Sequence, residues 1–121
     1  MRATGRWDVG DPDVDVFVDA SIVSFAAWDL VIFLNRNPDT CEPLTSLATV
    51  LARQESDLMP VVRRLVETGV LVECSEAGKV SYRLTEDAAV RDVIARFLAM
   101  TASREHRLEF VRRVLAHITG A

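Results

Sequence analysis

Arg53, Arg63, Arg64, Lys79 and Arg83, with Ser56 among them, are the side chains of this sequence best suited to chemistry with a partner. A guanidinium donates two parallel hydrogen bonds to a phosphate or to the edge of a guanine. An ammonium brings a compact charge to a phosphate, and a serine hydroxyl bonds to either. Other reactive constellations fail on spacing. Asp11, Asp13 and Asp15 are spaced like the start of an EF-hand loop, but Val16 stands where that loop requires glycine and Ile22 where it requires glutamate. His106 and His117 have no cysteine or carboxylate at a ligand spacing. Cys41 and Cys74 form no Cys-x-x-Cys motif, and the simplest expectation is two buried or half-buried thiols in a reducing compartment. The glycines are scattered, so no loop cradles a phosphate group. The expectation is a non-enzyme with no catalytic residues, no metal and no cofactor.

The elements that must position the basic residues follow from periodicity. Val14, Val16 and Val18 alternate with aspartates, the pattern of a short strand or extended arm, so residues 1–19 are expected to be an acidic, extended or poorly ordered arm. Residues 20–121 are expected to form one domain. A first helix is predicted over residues 21–35, apolar in almost every direction and ended by Asn37-Pro38. Such a helix needs cover on more than one side, from its own chain or from a second copy. Leu47, Val50 and Leu51 mark the inner face of a helix over 45–53. Leu58, Val61, Val62 and Leu65 mark a helix over 57–68, which Gly69 stops with a left-handed cap. Residues 70–74 and 80–84 read as two strands joined by a turn at 75–79. Beyond Thr85, the expected cap, the chain is helical to about residue 118, with Val90, Val93, Ile94, Phe97 and Leu98 on one stripe. Leu108, Val111, Leu115 and Ile118 follow at heptad-like spacing, with Thr101 or Ser103 as a break between two helices. The fold class is therefore mainly α with a small β-hairpin, an α+β arrangement ordered helix, tight turn, helix, hairpin.

The run Leu47-Ala-Thr-Val-Leu51, then Val61-Val-Arg-Arg-Leu-Val-Glu-Thr-Gly-Val-Leu71, then Tyr82-Arg-Leu-Thr85 resembles bacterial winged helix-turn-helix transcriptional regulators, broadly those like MarR, ArsR and PadR. The resemblance covers residues 44–85 and implies a fold more than a particular family. It implies that residues 57–68 are a recognition helix for the major groove of double-stranded DNA and residues 70–84 the wing. Arg63 and Arg64 would then meet guanine or phosphate, with Ser56 on the same face. Lys79 and Arg83 would reach phosphate from the wing, and Arg53 from the end of the preceding helix. Regulators of this kind dimerise through helices flanking the wing, which implies a homodimer seam on the first helix and the C-terminal helices.

Composition pulls the other way. The net charge is −4, whereas nucleic-acid binders are usually basic. Acidic residues crowd the first twenty positions, where they are expected to mask the weakly basic face. Met59 and Pro60 offer little to base edges, while Glu67 and Glu76 repel phosphate. A winged-helix protein-interaction or adaptor module is the alternative reading. No apolar run reaches the roughly 20 residues of a membrane span, and Met1 to Asp8 does not look like a signal peptide. A cytoplasmic location is expected.

Overall fold

The computed structural model describes residues 10–120, without the side chain of Glu76. Helix α1, Pro12–Ser21, starts where Asp11 caps it, its side chain accepting from the Val14 N–H, with Pro12 in the first turn. The strand or extended arm expected at Asp13–Asp19 is therefore corrected, and residues 1–9 of that arm lie outside the described residues. The alternation of valines was a partial view of a helical face. Val14, Phe17 and Val18 are buried at i, i+3, i+4, and Val16 is left 69% exposed.

The predicted helix over 21–35 is also corrected. The chain breaks after Ser21 and helix α2, Phe25–Arg36, begins at Ser24, whose hydroxyl accepts from the Ala27 N–H. Ala26, Ala27, Trp28, Leu30, Val31 and Leu34 of α2 are all buried. Its all-round apolarity is thus used inside the chain, since α2 packs against the helices and the hairpin that follow.

Helix α3, Leu44–Leu51, ends in Ala52 at φ 55°, and helix α4, Glu55–Glu67, starts three residues after that reversal. Leu47, Leu58, Val62 and Leu65 seal α3 and α4 against α2, whereas Val50 is 54% exposed and not an inward residue. Gly69, at φ 83°, stops α4 as expected and turns the chain into the hairpin. Strand β1, Leu71–Glu76, pairs antiparallel with β2, Lys79–Leu84, from Leu71 opposite Leu84 to Glu76 opposite Lys79. On the other edge of β2, the N–H and C=O of Tyr82 bond those of Glu42, at 2.8 and 3.0 Å, in the linker between α2 and α3. The hairpin is thereby joined to the entry of the helical pair.

Helix α5, Ala88–Met100, is capped by Asp87 instead of Thr85, because the Asp87 carboxylate accepts from both Ala89 and Val90. Helix α6, Arg104–Thr119, starts afresh at Ser103 after a break at residues 101–103. Phe17, Trp28, Phe97 and Phe110 meet where α1, α2, α5 and α6 converge, with ring centroids 4.9 Å apart for Phe97 and Phe110. Six helices and one two-stranded antiparallel hairpin make up the described residues, an α+β winged helix-turn-helix with additional helices at both ends.

Cys41 and Cys74 are not the separate thiols expected from their spacing: they form a disulfide between the α2–α3 linker and β1. The pairing is made by the fold, which brings residues 33 apart in sequence to a Cα separation of 6.6 Å. No single helix among the described residues is long and apolar enough to cross a membrane.

Candidate nucleic-acid interface

Helix α4 presents two unlike faces. Leu58, Val62 and Leu65 are buried, while Ser56, Asp57, Pro60, Arg63, Arg64 and Glu67 are exposed. Pro60 lies inside the helix and removes one ladder hydrogen bond. The acceptor it leaves free, the Ser56 carbonyl, belongs to an exposed residue that water can reach.

The six sequence-predicted residues separate by whether the chain already uses their charge. Arg63 has no ion pair or hydrogen bond among the described residues and stands beside a cleft of about 420 Å³, lined in part by Ser24, Ala27, Pro60 and Glu67. Lys79, at the start of β2 beside the hairpin turn, is likewise exposed and unpaired among the described residues. Ser56 is exposed in the first turn of α4.

The other three are engaged. Arg64 donates from Nε to the Ala20 carbonyl at 2.7 Å, tying α4 to the end of α1. Arg53, in the turn between α3 and α4, donates from Nη2 to Asp29 at 2.8 Å. Arg83 donates to Glu86 at 2.7 Å, and that hydrogen bond holds the Glu86 carboxyl below its usual range. The fold therefore brings Ser56 and Arg63 onto one exposed helical face, puts Lys79 near the wing tip, and occupies Arg53, Arg64 and Arg83 with internal partners.

The cleft beside Arg63 was missed from sequence because it depends on the break at residues 22–24 that separates α1 from α2. Ser24, a good N-cap residue before an apolar run, was the available signal. Asp11-Pro12 was the corresponding signal for α1.

Asp11, Asp13, Asp15 and Asp19, the described aspartates of the acidic segment, have partners away from this face. Arg96 of α5 binds the Asp11 carboxylate with two contacts of 2.7 and 2.9 Å, and also reaches Asp92 at 2.9 Å and Asp13 at 3.5 Å. The Arg96 hydrogen bond lowers the Asp11 pKa, and Asp11 in turn raises that of Arg96. Arg113 of α6, only 2% exposed, donates to Asp15 at 2.5 Å and lies 3.7 Å from Asp19. The described aspartates expected to mask α4 are thus engaged by α5 and α6, and Asp8 lies outside the described residues.

Nor is the proposed dimer seam on residues 21–35 a free apolar face, since α2 is largely covered within the chain. The exposed large apolar residues of the flanking helices are Val16 on α1, Phe25 at the start of α2, and Leu108, Leu115 and Ile118 on α6. Among the described residues, no three histidine, cysteine or carboxylate side chains are grouped to hold a metal ion.

No protein-family model matches the chain, and no curated protein matches it in sequence. Two solved structures share its fold. The AntR antimony-specific transcriptional repressor superposes with a TM-score of 0.58 over 81% of this chain and 86% of that one, at 17% identity. A possible transcriptional regulator from Methanosarcina mazei Go1 superposes with a TM-score of 0.53 over 79% of this chain and 82% of its own, also at 17% identity. The chain thus has the winged-helix fold found in transcriptional regulators.

Proposed function

We propose that this chain is a DNA-binding transcriptional regulator that acts as a dimer, with α4 as recognition helix and β1–β2 as wing. The observation that carries this reading is the exposed outer face of α4. Arg63 there is uncommitted, whereas most of the other described arginines have a partner within the chain. An unpaired guanidinium on the second helix of a helix-turn-helix is free to donate to guanine or phosphate, and Lys79 is free to meet a phosphate from the wing. Ser56 adds a hydroxyl on the helical face. Arg53, Arg64 and Arg83 join the interface only by exchanging their present partners for phosphate. The likeness to two proteins described as regulators supports the same reading.

A second copy follows from the weakness of one reading head. Glu55 and Asp57 in the first turn of α4, with Glu67 at its end, oppose phosphate, so one head binds weakly and two linked heads sum their contacts. Leu108, Leu115 and Ile118 recur at seven and three residues along α6 and are 40%, 46% and 59% exposed, a stripe suited to a symmetric partner.

The test is binding of the purified chain to DNA from upstream of its own gene across a salt series, with sedimentation measured in parallel. Affinity is expected to fall linearly with salt on logarithmic axes. Arg63→Ala is expected to cost about 1–3 kcal/mol, and Lys79→Ala to reduce the salt slope by about one. Binding unchanged when Arg63→Ala and Lys79→Ala are combined in one protein overturns the DNA reading. A monomer mass at all concentrations overturns the dimer.

A further inference from the structure

We propose that Cys41 and Cys74 are a thiol–disulfide switch that sets the mobility of the wing. On the DNA-binding reading above, on which this second consequence rests, the switch also sets affinity for DNA. Topology carries the argument. The chain has two cysteines and both are in this one bond, which closes a loop containing all of α3 and α4. One end lies in the α2–α3 linker beside Glu42, and the other is on β1, opposite Ser81 of β2. The linker pairs with the outer edge of β2 through Glu42 and Tyr82, so the disulfide reaches over β2 to the far strand of the wing. It is a strap across the hairpin, anchored at the entry to the helix-turn-helix.

Without the bond, the linker holds β2 by the two backbone hydrogen bonds between Glu42 and Tyr82. β1 at this level then keeps its pairing with β2, Cys74 opposite Ser81. The outer half of the wing lacks an apolar anchor, because Ser75, Ala77, Gly78, Lys79 and Val80 are all exposed, whereas Leu71 and Leu84 at its base are buried. The strap ends at Cys74, opposite the buried Ser81, at the border between the packed base of the wing and the exposed tip that it carries. Both cysteines are half-buried and neither belongs to the buried core cluster.

The chemistry is thiol–disulfide exchange. A thiolate of a dithiol reductant attacks one sulfur, forming a mixed disulfide and releasing the other cysteine as a thiolate that takes up a proton. The second thiol of the reductant loses its proton and displaces the remaining cysteine, so the protein gains two electrons and two protons and the reductant leaves as its own disulfide. A peroxide reverses the change: one cysteine thiolate attacks it and breaks the O–O bond, becoming a sulfenic acid while the other oxygen leaves as water or an alcohol, and the sulfenic acid condenses with the other thiol and releases water.

The oxidised form holds the wing in one position and loses less freedom on docking, so it is the tighter binder. The test compares oxidised full-length protein, the same protein reduced with dithiothreitol, and the Cys41→Ser and Cys74→Ser variants, each checked for helical content. Hydrogen exchange reads the wing, and binding to upstream DNA reads its consequence. Reduction is expected to speed amide exchange in residues 72–81 by about ten-fold while α5 and α6 stay unchanged. It is expected to weaken DNA binding by roughly five-fold, and the serine variants should match the reduced form whatever the redox buffer. Equal wing exchange in the two forms overturns the switch, as does a bond that resists millimolar dithiothreitol in the folded protein. Equal affinity of two forms that both bind DNA overturns its regulatory role. Faster exchange on reduction with no DNA binding by either form supports the mobility switch and overturns the DNA reading instead.

Discussion

The two ends of the molecule treat charge in opposite ways. Where α1 crosses α5 and α6, arginines are enclosed by the chain's own acids: Arg96 reaches Asp11, Asp13 and Asp92, and Arg113 is buried between Asp15, Asp19 and the Phe110 ring. At the helix-turn-helix end, Arg63 and Lys79 have no partner among the described residues, although the net charge of the chain is negative. The difference teaches that overall charge is a poor guide to what a surface offers. A chain of net negative charge still presents unpaired cations beside the helix-turn-helix, while Asp11, Asp13, Asp15 and Asp19 are engaged by arginines of α5 and α6. The same contrast extends to packing, since the crossing of α1, α2, α5 and α6 holds the aromatic cluster while the wing tip is exposed.

The contrast breaks first if the aromatic junction is not the anchor of the fold. Phe97 is fully buried and contacts the rings of Phe17, Trp28 and Phe110, so Phe97→Ala is expected to cost about 3–5 kcal/mol in urea unfolding. A loss under about 1 kcal/mol, the size of an ordinary surface change, means that the junction is not the anchor.

Arginine substitutions sharpen the comparison directly. Arg113→Ala removes a buried cation from Asp15 and is expected to cost about 3 kcal/mol, whereas Arg63→Ala should stay within about 0.5 kcal/mol of the unchanged protein. Only the second should lower DNA affinity without a change in the unfolding midpoint. Equal stability losses at the two sites would erase the distinction.

The smallest effect concerns acid. The Arg96 hydrogen bond lowers the pKa of Asp11 in the folded chain, so the unfolded chain takes up the proton first as pH falls. The stabilising contribution is complete above the unfolded carboxylate value, near about 4, and is lost as pH drops through the lower folded value. Asp11→Asn should therefore be less stable than the unchanged protein at neutral pH and converge with it towards pH 2, in paired urea titrations. A constant gap at every pH would locate the effect in the helix cap instead of the charge.

Much of the central unit is legible in the sequence. The apolar spacing in α4, the Gly69 stop and the β-branched strands are local signals, and each lies within one or two turns of the residues it organises. Segment 12–21 carries two patterns at once, because valines at every second position satisfy a strand pattern while Val14 and Val18, with Phe17, satisfy a helical one. The Asp11-Pro12 start outweighed the alternation once Val14 and Val18 had a core to enter. The six candidate contacts were found by residue type and spacing, but their division into free and engaged groups was not legible.

By itself the sequence determined the order of the central elements, the Gly69 stop of α4 and which side chains carry the donor chemistry a phosphate would need, because these depend on helical period, capping and side-chain type over short spans. Only the tertiary structure decided which arginines stay free, where the aspartates of α1 are used, and that the two cysteines meet. Those outcomes depend on contacts across 85 residues for Arg96 with Asp11, 98 for Arg113 with Asp15, and 33 for Cys41 with Cys74. A charge or a thiol acts over a few ångströms, and at such separations the whole fold sets that distance.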